Sequence, residues 1–246
     1  MEWKIVPVMA GEFGMVRDDI RFAGGSPKNS SFVPSYVYLI ECGEEQYIVD
    51  TSFGDPDICQ ERMQLIVKRD EELSTLLSKA GIRADKVKGL ILTHLHWDHA
   101  ANCMLFPRAA VYCQKEEIDC AFDAASDYDE YYLREFEKSR DRLIAVDGNY
   151  NVRDGILLRK CGGHTRGSQS VEVMTEQGLA VITGDTVMTY ENLDKKVPVG
   201  YCTEPDRCSN MLYYLLSKKP RYILPSHDYK TLHYKKESMR LFGWDR

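Results

Sequence analysis

The sequence predicts a layered α/β fold: two packed β-sheets with helices on their outer faces. Three observations carry this. Short β-rich or apolar runs recur through both halves of the chain, each half also holds segments with helically spaced apolar residues, and no low-complexity linker, internal repeat or charge block divides the 246 residues. A sheet with an apolar outer face needs a cover, and helices supply it. A chain of this length can bury one substantial core, so one domain spanning 1–246 is expected.

The elements follow in order. Ser35–Ile40 (SYVYLI) and Gln46–Val49 (QYIV) are rich in β-branched and aromatic residues, and the Gly43-Glu-Glu segment between them suits a hairpin turn. The second strand ends at Asp50-Thr51-Ser52. Pro56–Ala80 has spaced apolar positions (Ile58, Met63, Leu65, Ile66, Leu73, Leu76, Leu77) and few breakers, which predicts a helix ended by Gly81. Val87–Leu92 is a short apolar run and predicts a buried strand leading to Thr93, and Ala109–Cys113 predicts another. Glu116–Arg142 is expected to be helical and is rich in tyrosine and acid, with Tyr128, Tyr131 and Tyr132 forming a lid, a subunit contact or the cover of a core edge. Strands at Ile156–Leu158, Ser170–Met174 and Leu179–Thr183 precede a helix at about Arg207–Ser217 and a last strand at Tyr222–Leu224.

Composition narrows the function classes. Hydrophobic residues at 43% and charged residues at 28% are a globular mixture and argue against disorder. The net charge of −6 leaves no basic footprint for nucleic acid, and no apolar run approaches the roughly 18 residues needed to cross a bilayer. Met1-Glu-Trp-Lys-Ile-Val-Pro lacks a basic stretch followed by an apolar one, so no secretory leader is expected. The eight cysteines form no CxxC pair, which argues against a thiolate zinc site, and reduced thiols in a cytoplasmic protein are the simplest reading. Most read as small buried hydrophobes; Cys161, three residues before His164, is a candidate to lie near a site. A small-molecule partner is expected, with neither nucleic acid nor membrane; composition does not specify the oligomeric state.

The strongest chemical signal is Thr93-His94-Leu95-His96-Trp97-Asp98-His99, which puts four metal-capable side chains within six residues directly after an apolar strand. Imidazoles and a carboxylate suit zinc and similar borderline metals. If the segment stays extended at first, His94 and His96 point the same way; a turn into helix would then swing Asp98 and His99 towards a second position. A solvated polar turn is the usual reading of one histidine, but half of the six histidines in the chain lie in this loop. His164 after Gly162-Gly163, Asp185 after Thr183-Gly184 and His227 after Leu224-Pro225-Ser226 each close a strand, where open α/β sheets gather ligand-binding groups. His233, in a polar C-terminal stretch, reads as a surface residue.

His94-x-His96-x-Asp98-His99, with His164, Asp185 and His227 downstream in order, resembles the HxHxDH signature of the metallo-β-lactamase superfamily over essentially the whole chain. The resemblance implies a four-layer αββα sandwich of the α+β type with a dinuclear site at one edge. It implies that His94, His96 and His164 bind one metal, Asp98, His99 and His227 a second, and that Asp185 bridges them. Asp50 matches a supporting strand-end aspartate, and Ser52 stands where glycine is often found. The expected cofactors are two divalent metal ions, zinc first, with iron, manganese or cobalt also suited to these donors.

Such a pair of ions implies a hydrolase in which a hydroxide attacks a carbonyl carbon, with Asp98 a candidate to relay a proton to the leaving alkoxide. The downstream half is most similar to the N-acyl homoserine lactonase branch, through Asp147-Gly-Asn-Tyr150, Gly163-His164-Thr165-Arg166-Gly167-Ser168-Gln169-Ser170, Tyr190-Glu191-Asn192 before Val197-Pro198, and Pro225-Ser-His227-Asp228. Lactone or carboxylic-ester opening, and quorum quenching with it, is the implied activity; a glyoxalase II-like thioester hydrolase or another hydrolase of this fold is the alternative. Two departures bear on substrate. The tyrosine that the branch often carries three residues past the bridging aspartate is Met188 here, and Tyr190 either takes over its catalytic role from a shifted backbone or packs. A histidine common after the Gly-His pair is Ser168. Trp97 either lines an acyl pocket or packs beneath the ligand loop.

Overall fold

The computed structural model describes residues 2–122 and 134–235. The first half builds β1 (Lys4–Arg17), α1 (Asp18–Arg21), β2 (Ser30–Cys42), β3 (Glu45–Val49), α2 (Pro56–Met63), β4 (Ile66–Lys68), α3 (Leu73–Lys79), β5 (Gly89–Ile91), α4 (Trp97–Ala100), β6 (Ala110–Gln114) and α5 (Lys115–Phe122). The second half adds β7 (Leu143–Val146), β8 (Tyr150–Arg153), β9 (Ile156–Lys160), β10 (Gln169–Thr175), β11 (Gly178–Ile182), α6 (Tyr190–Lys195), α7 (Pro205–Lys218) and β12 (Tyr222–Leu224). The strands form a seven-stranded sheet in the order β4-β1-β2-β3-β5-β6-β7 and a five-stranded sheet in the order β12-β11-β10-β9-β8.

Period-two alternation sorts the strands into layers. On β2, Tyr36, Tyr38 and Ile40 meet Ile156, Leu158, Val171, Val173, Ala180 and Ile182 of the second sheet, forming the core between the sheets. Val37 and Leu39 point the other way, onto Leu73 and Leu77 of α3 and towards Phe106. On the far face of the second sheet Val181 and Ile223 pack on Leu193 of α6 and on Met211, Leu212 and Leu215 of α7. The result is helix, sheet, sheet, helix: the αββα sandwich.

The structure corrects two helices. Pro56–Ala80 is two short helices separated by β4, not one. Gln64 adopts a left-handed backbone, φ 54°, that stops α2, and the β-branched pair Ile66-Val67 then joins the sheet edge, with Glu12, Phe13 and Gly14 of β1 opposite Lys68, Val67 and Ile66. In the segment expected to be helical over Glu116–Arg142, α5 reaches Phe122 and Arg134–Arg142 is a 3-10 helix; Tyr128, Tyr131 and Tyr132 lie outside the described residues. Strand β1 escaped sequence reading because register shifts at Met9/Gly11 and Phe13/Val16 break its alternation.

Candidate metal centre

The ligand loop leaves β5 in extended form, and His96 still has β backbone, φ −67° and ψ 158°, where α4 begins. His94 and His96 therefore fall in one group of donors with His164, while Asp98 and His99, turned by α4, fall in another with Asp185 and His227. All seven are buried. The rings of His94, His96 and His164 form a near-regular triangle, with centroids 4.5, 4.7 and 4.8 Å apart.

Asp185 stands between the groups. Its Oδ2 is 3.4 Å from His164 Nε2, while its Oδ1 is 3.1 Å from both His99 Nε2 and His227 Nε2. Asp98 Oδ2 lies 3.4 Å from His227 Nε2 and 3.6 Å from His99 Nε2.

Four of the histidines are held by the outer nitrogen. His99 Nδ1 donates to Asp50 Oδ2 at 2.8 Å, His164 Nδ1 to the Tyr201 carbonyl at 2.8 Å and His227 Nδ1 to the Pro34 carbonyl at 2.9 Å. The Thr93 hydroxyl donates its hydrogen to Asp50 Oδ2, so its lone pair receives His94 Nδ1, 3.1 Å away. These four rings thereby aim Nε2 at the interior, the outer-partner arrangement that fixes a metal-binding tautomer. His94 Nε2, His99 Nε2 and Asp185 Oδ1 are buried without a well-directed hydrogen-bond partner. Burying such atoms unsatisfied is costly, and a divalent cation is the species this donor set fits.

The electrostatics differ between the two groups of donors. Burial, reinforced by His99 and His96, holds His94 well below the ordinary histidine range, and burial brings His164 down to about 4, so both rings are neutral with a lone pair to give. His99 and His227 are pushed up: burial opposes this, but the Asp185 and Asp98 carboxylates outweigh it. Burial likewise works against ionising Asp185, yet His227 and His99 hold it well below the usual carboxylate range.

Beside these donors opens a cleft walled by Phe13, Val16, Val33, Leu65, Trp97 and Met188, with Tyr201 and Arg21 also on its lining. Trp97 packs as one of its two readings expects, buried against Phe13 and Phe53, and it also borders the cleft. Tyr190 is a correction to its expected catalytic role. Its ring is buried among Val187, Leu193 and Met211, its hydroxyl donates to the Ile223 carbonyl at 2.8 Å, and it does not line the cleft. The residues around it form a helix start in which Asn192 Oδ1 accepts the Thr189 N–H at 2.9 Å. Cys161 also faces elsewhere, with Sγ 3.5 Å from Met211 Sδ; none of the eight cysteines forms a disulfide. His233 is exposed. Sequence reading missed Tyr201, whose ring sits 5.6 Å from that of His164 and 6.2 Å from that of His96; it lies in a loop with no periodicity to mark it. Phe13 was missed together with β1.

An αββα sandwich with clustered, inward-aimed histidine and aspartate donors defines a metal-dependent hydrolase. Residues 31–227 match the model of the metallo-β-lactamase superfamily, and the chain belongs to that superfamily. Among its relatives is the N-acyl homoserine lactonase of Bacillus cereus, 30% identical over 184 residues that span 70% of this chain and 72% of that one. A probable metallo-hydrolase of Mycobacterium tuberculosis is 22% identical over 188 residues, which span 68% of this chain and 61% of its own. Among solved structures, a quorum-quenching N-acyl homoserine lactone hydrolase superposes with a TM-score of 0.80 at 25% identity, covering 98% of each chain. An N-acyl homoserine lactone hydrolase with N-hexanoyl-L-homoserine at its catalytic metal centre has a TM-score of 0.81 at 24% identity, again over 98% of each chain, and shares the fold.

Proposed function

We propose that this chain opens the lactone ring of N-acyl homoserine lactones, using two zinc ions. His94, His96 and His164 would hold one ion, Asp98, His99 and His227 the other, and Asp185 both. The observation that carries the reading is the division of the Asp185 carboxylate, one oxygen towards the histidine triangle and the other towards His99 and His227. The apolar cleft beside it supports an acylated substrate over a small polar one, and the likeness to the Bacillus cereus lactonase supports the lactone.

Two bound divalent ions supply a water-derived nucleophile near neutral pH and a Lewis acid for the carbonyl. The protein does the rest. Phe13, Val33 and Trp97 wall the space for the acyl chain and exclude water from it. Asp98 borders both the cleft and the second donor group; there its carboxylate would take up the proton released as the water-derived nucleophile adds to the carbonyl carbon, and return it to the alkoxide oxygen freed when the ring C–O bond breaks. Quorum quenching is the biological consequence of such an activity.

The test is hydrolysis by one metal-quantified preparation, followed by acid release, of N-acyl homoserine lactones, a simple γ-lactone and lactoylglutathione. The expected result is turnover of the acyl homoserine lactones. Turnover of the thioester alone, or of no lactone with two equivalents of zinc bound, would overturn the proposal. His96→Ala should lose metal and lower kcat/KM by more than about 100-fold, since even outer partners of ligands are worth about 10–100-fold; retention of two metals with full activity would refute the ligand assignment.

A further inference from the structure

Glu117, on the first turn of α5, is fully buried at 0% exposure. A carboxylate in that position is tolerated only when its lone pairs are filled. Oε1 accepts the Leu95 N–H at 3.0 Å, and Oε2 accepts the Thr165 hydroxyl at 2.7 Å and the Gly167 N–H at 3.0 Å. Leu95 lies between His94 and His96, and Thr165 adjoins His164. One carboxylate thus takes its donors from the two loops that carry the histidine triangle, one leaving β5 of the first sheet and the other joining β9 to β10 of the second.

The surroundings are built for this contact. A Cβ on Gly167 would come within 2.3 Å of the Glu117 backbone nitrogen and 2.6 Å of its Cα, so only glycine lets the His164 loop press onto α5. Gln169 makes a neighbouring tie, its Nε2 donating to the Leu92 carbonyl and its N–H to the Thr93 carbonyl, and Gln114 donates to its Oε1 in turn. The second donor group is anchored differently, through His99 to Asp50 and His227 to the Pro34 carbonyl.

We infer that Glu117 is a positioning residue that sets the spacing of His94 and His96 from His164 and so governs metal affinity in the three-histidine half of the centre. This rests on the ligand assignment above. In Glu117→Gln the new amide group must face an N–H that already points at it, on one side or the other, while volume is kept.

The measurement is competition of Zn²⁺ and of Co²⁺ against a chromophoric chelator, with the Co²⁺ absorption spectrum and circular dichroism recorded on the same samples. Wild type should take two equivalents. Glu117→Gln should keep its folded spectrum and one tight equivalent while the other weakens about 10–100-fold, with the Co²⁺ bands of the three-histidine half altered. His227→Ala provides the reference for weakening in the other half. Thr165→Val, which removes one donor to the same carboxylate, should move in the same direction by a smaller factor, and it decides the matter should Glu117→Gln not fold. Two equivalents at wild-type affinity in these variants, or equal weakening of both, would overturn the inference. Wild type binding fewer than two equivalents would overturn the two-ion reading, and this inference with it.

Discussion

Asp50 is buried with a left-handed backbone, φ 58°, and Ser52 repeats that conformation two residues on, φ 59°. For residues with a Cβ this costs on the order of 1–3 kcal/mol each, and such strain gathers at functional sites. At Asp50 it aims both carboxylate oxygens at the ligand loop: Oδ1 accepts the Thr93 N–H, and Oδ2 accepts the Thr93 hydroxyl and His99 Nδ1, all at 2.8 Å. Ser52 uses the same kink to reach the Ser35 hydroxyl at 2.8 Å. Tyr190 is the contrasting case, a polar group satisfied within a packed layer and off the cleft. Tyr190→Phe should leave lactone kcat/KM unchanged and lower stability by about 1–3 kcal/mol through the unpaired Ile223 carbonyl, read by urea denaturation. A drop of about 10²-fold or more in kcat without unfolding, the usual cost of losing a proton-transfer group, would restore its catalytic role.

At the scale of elements, the ligands lie in the segments that follow β5, β9, β11 and β12, with Asp98 and His99 on α4, and glycines let these segments approach one another. Gly184 has φ 53°, and a Cβ there would lie 2.7 Å from Thr93 Cβ and 2.8 Å from its hydroxyl oxygen. The turn bearing Asp185 is thereby pressed onto the first residue of the histidine loop. Gly184→Ala should cost at least about 1 kcal/mol from the backbone alone. It should also weaken both metal equivalents, because the residue it displaces is the one proposed to be shared. Metal titration with a thermal melt checks this, and weakening of one equivalent alone would argue against sharing. Gly163 acts alike on the opposite side, where a Cβ would meet Cys208 Sγ at 2.7 Å.

At the scale of the whole molecule, the donors come from both sheets: the histidine loop, with Asp50 supporting it, from the first, and His164, Asp185 and His227 from the second. Bound ions would therefore cross-link the two layers as well as serve catalysis. Metal at about 100 times its dissociation constant stabilises the folded chain by about 2.7 kcal/mol. For a chain of this size that lifts the melting temperature by about 5–10 °C. Calorimetry with zinc and with a chelator should show that difference; identical melting in both would mean that the ions do not join the sheets.

The histidine loop was legible in the sequence because its donors are neighbours along the chain, and the central strands because their apolar alternation is local. So were His164, Asp185 and His227, each marked by the strand it closes. Strand β4 was not legible, since Ile66 and Val67 also fit a helical spacing and only pairing with β1 decides between the two. Nothing local in the sequence separates Tyr190 from Tyr201; their positions depend on how loops from distant segments pack, which left one inside a helix-covered layer and the other on the cleft. Glu117 reads as one more acid on a helix until the fold brings Leu95, Thr165 and Gly167 to it. Residue types and their order determined which chemistry the chain can hold, because donor strength and strand period are local properties. Which groups face one another was decided by the packing of two sheets, since contact between residues far apart in sequence exists only after that burial has closed the chain on itself.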